Sequence, residues 1–154
     1  MYVIRMLTII FSNIIFWWNH LENNQLQGSI PSEIGNFNKL QILSFRNNRI
    51  LGTLPSELGR LKNLQVLNLN SNSLSGRISA EFGKLTNNLT KLDLGNNELS
   101  GPIPNELGNW RQLKILELYN NQLSGTIPTE LGNLSKLRNV TFQHNQLDGT
   151  IPSN

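Results

Sequence analysis

The chain has 154 residues, a formal net charge of +3 and 15% charged residues, and it contains no cysteine. This length predicts a single domain with a sizeable core. The lack of cysteine excludes disulfides, thiol catalysis and cysteine-ligated metal sites, and the lysines and arginines form no basic run of the kind that binds nucleic acid.

Residues 1–18 form an apolar N-terminal segment that matches no later part of the chain. Arg5 precedes a mostly apolar run, which is typical of a signal peptide, but the run ends in Phe16, Trp17 and Trp18 without the small residues of a cleavage site. It is also short for a membrane-spanning helix. We expect a signal or membrane anchor here, and a cap over the first coil or an artefact of gene structure remain open alternatives.

Residues 19–154 consist of about six repeats, the last of them incomplete. Each repeat is centred on an asparagine, and successive copies follow at steps of 24 or 25 residues. The frame around them is L-x-x-L-x-L-x-x-N-x-L-x-G-x-I-P-x-E-L-G-x-L-x-x. The six asparagines are Asn24, Asn48, Asn72, Asn97, Asn121 and Asn145. A fixed period of this length predicts a solenoid of stacked coils, one supersecondary unit per repeat.

The alternation of leucines predicts a short strand in each coil, with two side chains pointing into the core. Two further apolar columns follow the asparagine, one of them immediately before the proline. We expect the buried asparagine amide to pair the backbone groups of its turn and of the neighbouring coil. The glycine of G-x-I-P marks a bend, and the P-x-E-L-G segment suits one 3₁₀ or α turn with its glutamate near the favourable N-terminal end.

The G-x-I-P segment carries a resemblance to a known family. It recurs at Gly28–Pro31, Gly52–Pro55, Gly101–Pro104, Gly125–Pro128 and Gly149–Pro152. The chain resembles the plant-type leucine-rich repeat family, which includes receptor-like kinase ectodomains and polygalacturonase-inhibitor-like proteins. The resemblance implies an α/β leucine-rich-repeat solenoid, a right-handed superhelical horseshoe with a parallel concave β-sheet and short convex helical turns.

Two places depart from the frame. The third repeat has Ser79 in place of the proline and one extra residue within 86–88, so we expect a local bulge on the convex side. The chain stops before the convex turn of the sixth repeat, so we expect Phe142, Leu147 and Ile151 to be partly exposed. Because solenoids generally need capped ends, our interpretation is that the chain is a fragment of a longer protein.

Catalytic and cofactor motifs are missing from the sequence. His20 and His144 lie five coils apart, too far to share a metal or a triad, and no phosphate-binding or dinucleotide fingerprint is present. Asp93 and Glu117 occupy the same outward position in adjacent coils, about 5 Å apart, which is similar to a retaining glycosidase pair. An open sheet provides no apolar wall to raise one pKa. We therefore predict a non-enzymatic protein without cofactor or metal, in which this pair is a solvated surface or a contact for a basic ligand.

Variable side chains that project from a repeated frame form a rigid surface of the kind that solenoids use for binding. We predict a protein or peptide ligand on the concave face, as in a receptor-like ectodomain or a fragment of one, and no nucleic-acid partner. The candidate contacts are Arg46, Asn68, Asn70, Asp93, Glu117, Tyr119, Thr141 and Gln143.

Three alternatives to this function remain open. The family resemblance permits an inhibitor of a secreted cell-wall-degrading enzyme, and a truncated chain would have no independent function. An ice-binding protein would use the outward column before the Ile-Pro pair, although Arg77 and Pro102 interrupt its threonines. This column consists of Ser29, Thr53, Arg77, Pro102, Thr126 and Thr150.

Three N-x-[ST] sequons begin at Asn88, Asn133 and Asn139 and are candidates for N-glycosylation. Asn88 and Asn133 fall on the predicted convex side, whereas a glycan on Asn139 would obstruct the concave face. We expect a secreted or cell-surface protein. A cytoplasmic protein is the alternative if residues 1–18 pack as a cap.

Overall fold

A computed structural model describes residues 21–85 and 88–152. The N-terminal segment 1–18, His20, and Thr86 and Asn87 of the predicted bulge lie outside the described residues. The predictions of a signal, an anchor or a cap, and of a bulge in the third repeat, therefore remain predictions.

Short strands recur in every described coil, and a 3₁₀ helix follows them in the first five, which confirms the predicted solenoid of parallel coils. The strands of the described residues are β1 (Gln27–Gly28), β2 (Ile42–Ser44), β3 (Arg49–Thr53), β4 (Val66–Asn68), β5 (Ser73–Arg77), β6 (Lys91–Asp93), β7 (Glu98–Gly101), β8 (Ile115–Glu117), β9 (Gln122–Thr126), β10 (Asn139–Thr141) and β11 (Gln146–Asp148). The 3₁₀ helices are η1 (Ser32–Asn36), η2 (Ser56–Arg60), η3 (Ala80–Lys84), η4 (Asn105–Asn109) and η5 (Thr129–Asn133).

The strands form two parallel sheets rather than the single one expected from the sequence. The predicted strands β2, β4, β6, β8 and β10 make a five-stranded sheet, whose outward side we call the concave face. The odd-numbered strands make a second, six-stranded sheet through the N-x-L-x-G segment. The residue before each repeated asparagine has a positive φ, between 49° and 58°, which turns the chain out of the first sheet. The backbone then extends again and pairs with neighbouring coils, because its buried N–H and C=O groups need partners.

The predicted inward columns form the core. Leu67, Leu92 and Leu116 of the first sheet are fully buried, and so are the third-column residues Leu99 and Leu123. One continuous apolar cluster contains them. Burial decreases toward the last coil, where Phe142 and Leu147 are half-buried and Ile151 is 85% exposed, as the sequence predicts.

The repeated asparagine makes the predicted contacts with two coils. Asn97 Nδ2 donates to the carbonyl of Leu94 in its own coil, at 3.1 Å, and to the carbonyl of Leu69 in the preceding coil, at 3.0 Å. Its Oδ1 accepts from the backbone N–H of Leu74, at 3.0 Å. The other interior asparagines that make this pattern are Asn48, Asn72, Asn121 and Asn145.

The convex side is built from the predicted short turns, which are 3₁₀ helices with a glutamate in the first turn. The glycine of E-L-G, which the sequence left without a role, allows the coils to approach closely. A Cβ on Gly35 would lie 2.6 Å from the carbonyl oxygen of Glu57 in the next coil. In the third coil Ser79 takes the place of the proline, and its Oγ accepts from the N–H of Glu81 at 3.2 Å.

Candidate functional site

The concave face presents its outward side chains in columns, one residue from each coil. Register pairs Asp93 with Asn68 on one side and with Glu117 on the other, and pairs Glu117 with Thr141. The candidate residues Asn68, Asp93, Glu117 and Thr141 therefore form one continuous column. Arg46, Asn70, Tyr119 and Gln143 belong to the neighbouring column, two residues further along each chain segment.

Lys91 connects the two central carboxylates. Its Nζ lies 2.9 Å from Glu117 Oε2 and 3.4 Å from Asp93 Oδ2. One cation and two anions leave this group with a formal charge of −1. The sequence placed Asp93 and Glu117 together correctly, but it did not identify Lys91 as their partner, although Lys91 lies two residues before Asp93 in the same strand.

Asp93 is 5% exposed, so it is a buried carboxylate rather than a solvated one. Its Oδ1 accepts from Asn70 Nδ2, at 3.1 Å, and from the N–H of Gly95, at 3.2 Å. Burial raises the pKa of the Asp93 carboxyl, and Glu117 raises it further, while the bonds from Asn70 and Gly95 act in the opposite direction. Burial lowers the pKa of Lys91, but the hydrogen bond and charge of Glu117, together with Asp93, outweigh it and leave that pKa raised.

Tyr119 crosses the face instead of projecting from it. Its Oη accepts from Asn70 Nδ2, at 2.8 Å, and from Asn96 Nδ2, at 3.4 Å. The ring lies over Gly95, where a Cβ would be 2.5 to 2.8 Å from three ring carbons. Tyr119 thus spans from the fifth coil to the third and joins the candidates Asn70 and Asp93 in one network.

The remaining candidates lie at the margins of this network. Arg46 and Gln143 are exposed near opposite ends of the face. Asn68 Oδ1 accepts from the backbone N–H of Asn70 at 3.2 Å, which orients it locally. Within the described residues, the buried Thr141 hydroxyl lacks a hydrogen-bond partner. The structure therefore brings Asn70, Asp93, Glu117 and Tyr119 together and leaves Arg46 and Gln143 separate.

A surface column of amides borders the face on the side of Tyr119. These residues have a positive φ, and their side chains bond from coil to coil: Asn47 Nδ2 donates to Asn23 Oδ1 at 2.9 Å, and Asn120 Nδ2 to Asn96 Oδ1 at 2.6 Å. Sequence reasoning missed this link. The signal for it is the recurring Asn-Asn pair, since asparagine tolerates the left-handed backbone conformation.

A groove of about 560 Å³ lies elsewhere, at the margin of the second sheet. It is lined by Arg77, Pro102, Pro104, Glu106, Thr126 and Pro128, among others. Arg77, Pro102 and Thr126 belong to the column considered for ice binding, and all three are exposed. No candidate residue of the concave face contributes to the lining of this groove.

Over residues 21–85 and 88–152, no group of three or more histidine, aspartate or glutamate residues is placed to hold a metal ion. Helices of the length and apolar character needed to cross a bilayer are likewise missing from that part of the chain. The sequon residues Asn88, Asn133 and Asn139 are all exposed.

Comparison with known proteins gives a family and a set of similar structures. Residues 19–152 match the model of a leucine-rich repeat region. No curated protein matches the chain.

Two of the similar structures are plant receptors. The plant peptide hormone receptor RGFR1, solved in complex with RGF2, is 42% identical with a TM-score of 0.84, and the match covers 86% of this chain and 21% of that one. The Arabidopsis receptor kinase HAESA, solved with the peptide hormone IDA and the co-receptor SERK1, is 40% identical with a TM-score of 0.86, covering 94% and 24%. The chain therefore spans less than a quarter of the length of these receptors.

A third similar structure is described as a plant ice-binding protein. It is 40% identical, with a TM-score of 0.77, and the match covers 82% of this chain and 41% of that protein. The same repeat frame therefore occurs in receptors and in an ice-binding protein. Because the frame is shared, the difference in function must come from the exposed side chains.

Proposed function

Since the chain belongs to the plant-type leucine-rich repeat proteins, we propose that it is a module that binds a protein or peptide through the concave face of its five-stranded sheet. The chain is a non-catalytic member of this family, and the proposal concerns its ligand and its binding surface. We place it, with its relatives, at the cell surface or outside the cell, as a receptor-like ectodomain or part of one.

One observation carries the proposal: the concave face has a fixed frame and variable side chains. The inward positions of the strands are repeatedly leucine, whereas one outward column reads Asn68, Asp93, Glu117 and Thr141. The parallel ladder holds these side chains about 4.8 Å apart. A preorganised surface of this kind loses little conformational entropy when a ligand binds.

The similar structures support a peptide or protein as the ligand. RGFR1 was solved with RGF2, and HAESA with a peptide hormone and a co-receptor. We carry over this class of ligand and no individual contact, because the chain corresponds to only part of each receptor. The central network of Asn70, Asp93, Glu117 and Tyr119, flanked by Arg46 and Gln143, is the proposed contact area.

The proposal is tested by selecting displayed random peptides on the immobilised chain and measuring the Kd of the best binder. The variants Arg46→Glu and Gln143→Arg alter the two ends of the face, and Arg60→Glu makes a matched charge change at an exposed position on the convex η2. We expect at least one concave variant to weaken binding about tenfold, equivalent to about 1.4 kcal/mol, with Arg60→Glu unchanged. Equal binding by all variants would contradict the concave face as the site.

Inhibition of a cell-wall-degrading enzyme is a special case of protein binding. It is tested by adding the chain to a secreted polygalacturonase and measuring the release of reducing ends. Inhibition that the concave variants relieve and Arg60→Glu does not would identify the ligand as that enzyme. A lack of inhibition would remove this alternative and leave the peptide ligand.

Ice binding is the second candidate, favoured by the similarity to the plant ice-binding protein and by the exposed Thr53, Thr126 and Thr150. Against it, the side chain of Arg77 lies over Gly101 in the middle of this column, and Pro102 follows in the next coil. We expect no inhibition of ice recrystallisation by the wild-type chain. Inhibition that increases in Arg77→Thr would instead establish the second sheet as an ice-binding surface.

Secretion predicts modification of the exposed sequons. Expression of the full chain in a eukaryotic cell, followed by intact-mass measurement with and without N-glycosidase, should show a glycan-dependent shift. We expect the shift to be lost in the combined variant Asn88→Gln, Asn133→Gln and Asn139→Gln. An unmodified chain that retains residues 1–18 would favour the cytoplasmic alternative.

A further inference from the structure

The ring of Tyr119 lies flat on the sheet. A Cβ on Gly95 would be 2.5 Å from Cε1, 2.7 Å from Cζ and 2.8 Å from Cδ1. Three consecutive ring carbons can be almost equally distant from one point only if that point lies above or below the ring. If the ring edge pointed at Gly95, Cζ and Cδ1 would be clearly farther than Cε1. One face of the ring therefore covers Gly95, and the other faces outward from the sheet.

The ring is also held in this position. Asn70, which is 5% exposed, donates to the Tyr119 hydroxyl and to Asp93 Oδ1 from the same Nδ2. Asn96 Nδ2 also donates to the hydroxyl, at 3.4 Å. Tyr119 is half-buried, so part of its outer surface remains accessible. A ligand that contacts this surface would meet an aromatic ring that is already ordered.

Negative charge lies beside the ring. Glu117 precedes Tyr119 by two residues in the same chain segment, so both side chains point to the concave face about 7 Å apart along the chain. Lys91 approaches Glu117 from the other direction, because its register partner Ile115 lies two residues before Glu117. A carboxylate has about four acceptor positions, so Glu117, which is half-buried, has acceptor capacity beyond its bond to Lys91.

We propose that the aromatic–acidic patch, defined as Glu117 and Tyr119, binds the side chain of an arginine in the protein or peptide ligand, and this inference rests on the function proposed above. The guanidinium would stack on the outer face of Tyr119 and donate to Glu117. Planar guanidinium groups combine stacking on aromatic rings with charge-assisted bonds to carboxylates. A neutral sugar would also stack on a tyrosine, but the formal charge of −1 on Lys91, Asp93 and Glu117 favours a cation.

The first test uses blocked single residues and the full chain. N-acetyl-arginine-methylamide is titrated while the NMR signals of the Tyr119 ring and the Gly95 amide are followed, with the citrulline analogue as a control of equal shape and no charge. We expect the arginine compound to bind about tenfold more tightly than citrulline. Citrulline binding equally well, or cellotetraose shifting the same signals while arginine does not, would overturn the proposal.

Variants connect the effect to the patch. Tyr119→Leu removes the ring, Glu117→Gln removes the charge, and Glu98→Gln makes the same chemical change at an exposed position on the second sheet. We expect Tyr119→Leu and Glu117→Gln each to remove most of the preference for arginine over citrulline, and Glu98→Gln to retain it. Dispersed amide spectra verify that each variant is folded. Retention of the preference in a folded Tyr119→Leu variant would overturn the role of the ring.

The peptide selection separates this inference from the proposed function. If peptides bind the concave face and arginine is enriched at one position, both are supported. If peptides bind that face without such enrichment and arginine binds no better than citrulline, the arginine site is overturned and the proposed function stands. If the arginine compound binds the patch but no peptide is retained on the face, the site is supported and the proposed function is not.

Discussion

Each turn between the two sheets contains two neighbouring polar positions, one in the interior and one on the concave surface, and both are commonly asparagine. In the fifth coil, the interior Asn121 bonds only to backbone groups: Nδ2 donates to the carbonyls of Leu94, Leu118 and Tyr119, and Oδ1 accepts from the N–H of Leu99. The surface Asn120 instead has a φ of 49° and donates to another side chain, Asn96 Oδ1.

The difference teaches that one residue type serves two unrelated physical requirements. The interior position supplies hydrogen bonds to backbone groups of two coils, and it is asparagine in every repeat. The surface position must adopt a positive φ, and there Ser71 and His144 replace asparagine at 56° and 57°. The frame therefore depends on the side chain at the first position and on the backbone at the second.

The largest loss of stability is expected from a substitution at the interior position, Asn121. In Asn121→Ala, the buried N–H of Leu99 loses its partner. The carbonyls of Leu94 and Leu118 each lose one of two donors, because Asn97 and Asn145 also donate to them. An unsatisfied buried N–H costs about 1–3 kcal/mol and the lost carbonyl bonds add to this, so we expect the free energy of unfolding to fall by about 2–3 kcal/mol. Urea unfolding followed by circular dichroism measures the change. Asn120→Ala is the matched control, and equal losses in the two variants would contradict the division between interior and surface.

A smaller effect is expected where the surface is itself tightly packed. In Gly95→Ala the new methyl group meets the Tyr119 ring, so the ring must move and its bond to Asn70 must lengthen or break. We expect a loss of about 1–2 kcal/mol in the free energy of unfolding, together with a changed near-ultraviolet circular dichroism signal. A double-mutant cycle with Tyr119→Ala isolates the contact. If Gly95→Ala lowers the free energy of unfolding equally with Tyr119 and with alanine at position 119, the packing of the ring on Gly95 is not the cause of the loss.

The sequence alone predicts the frame well because its requirements repeat. Leucine spacing fixes the inward columns, and the recurrence of Asn97 and its equivalents fixes the backbone pairing of the turns. The second sheet is harder to predict, since its strands contain glycine and polar residues that are typical of turns. It forms because the chain is extended between the positive φ at positions such as Asn96 and the positive φ at glycines such as Gly101.

The candidate site is less predictable because its contacts join residues that no period relates. Asn70 and Tyr119 are 49 positions apart, and their bond depends on the ring leaning across an intermediate coil. One signal was available: Gly95 takes the place of a side chain in the column that contains Asn70 and Tyr119, which leaves room for a neighbouring aromatic ring. The burial of Asp93 is also hard to predict, because the sequence does not specify the direction of the Lys91 side chain that contacts it.

At the surface position, the need for a positive φ predicts that alanine and glycine substitutions affect stability differently. Asn47 has a φ of 55° and is exposed. Asn47→Ala should lower the free energy of unfolding by about 1 kcal/mol, because a Cβ without a compensating polar group is disfavoured in this conformation. Asn47→Gly should be close to the wild type, since glycine adopts a positive φ freely. Thermal and urea unfolding of the pair provide the measurement, and a greater loss for glycine than for alanine would show that the bond to Asn23 dominates instead.

The smallest effect on the free energy of unfolding is expected from the buried carboxyl group of Asp93. Because the pKa of Asp93 is raised above its ordinary value of 3.8, the folded chain holds this proton more tightly than the unfolded chain does. The stabilisation that results is complete below the ordinary pKa and is lost as the pH rises through the raised one. The amide introduced by Asp93→Asn does not titrate, so the wild type should lose stability relative to the variant across that interval.

At pH values above the titration of Asp93, the difference in the free energy of unfolding between the wild type and Asp93→Asn should stay constant. It should change again only when Lys91 begins to lose its proton, above its ordinary pKa of 10.5. Urea unfolding of both proteins over a pH series measures the difference, and Glu98→Gln serves as a control for an exposed carboxylate. A difference that increases in favour of the wild type as the pH rises from 3.8 would mean that Lys91 and the bonds from Asn70 and Gly95 outweigh burial. The ionised Asp93 carboxylate would then stabilise the folded chain, as the interior asparagine does. It would not be a destabilising group that the concave face keeps for ligand binding.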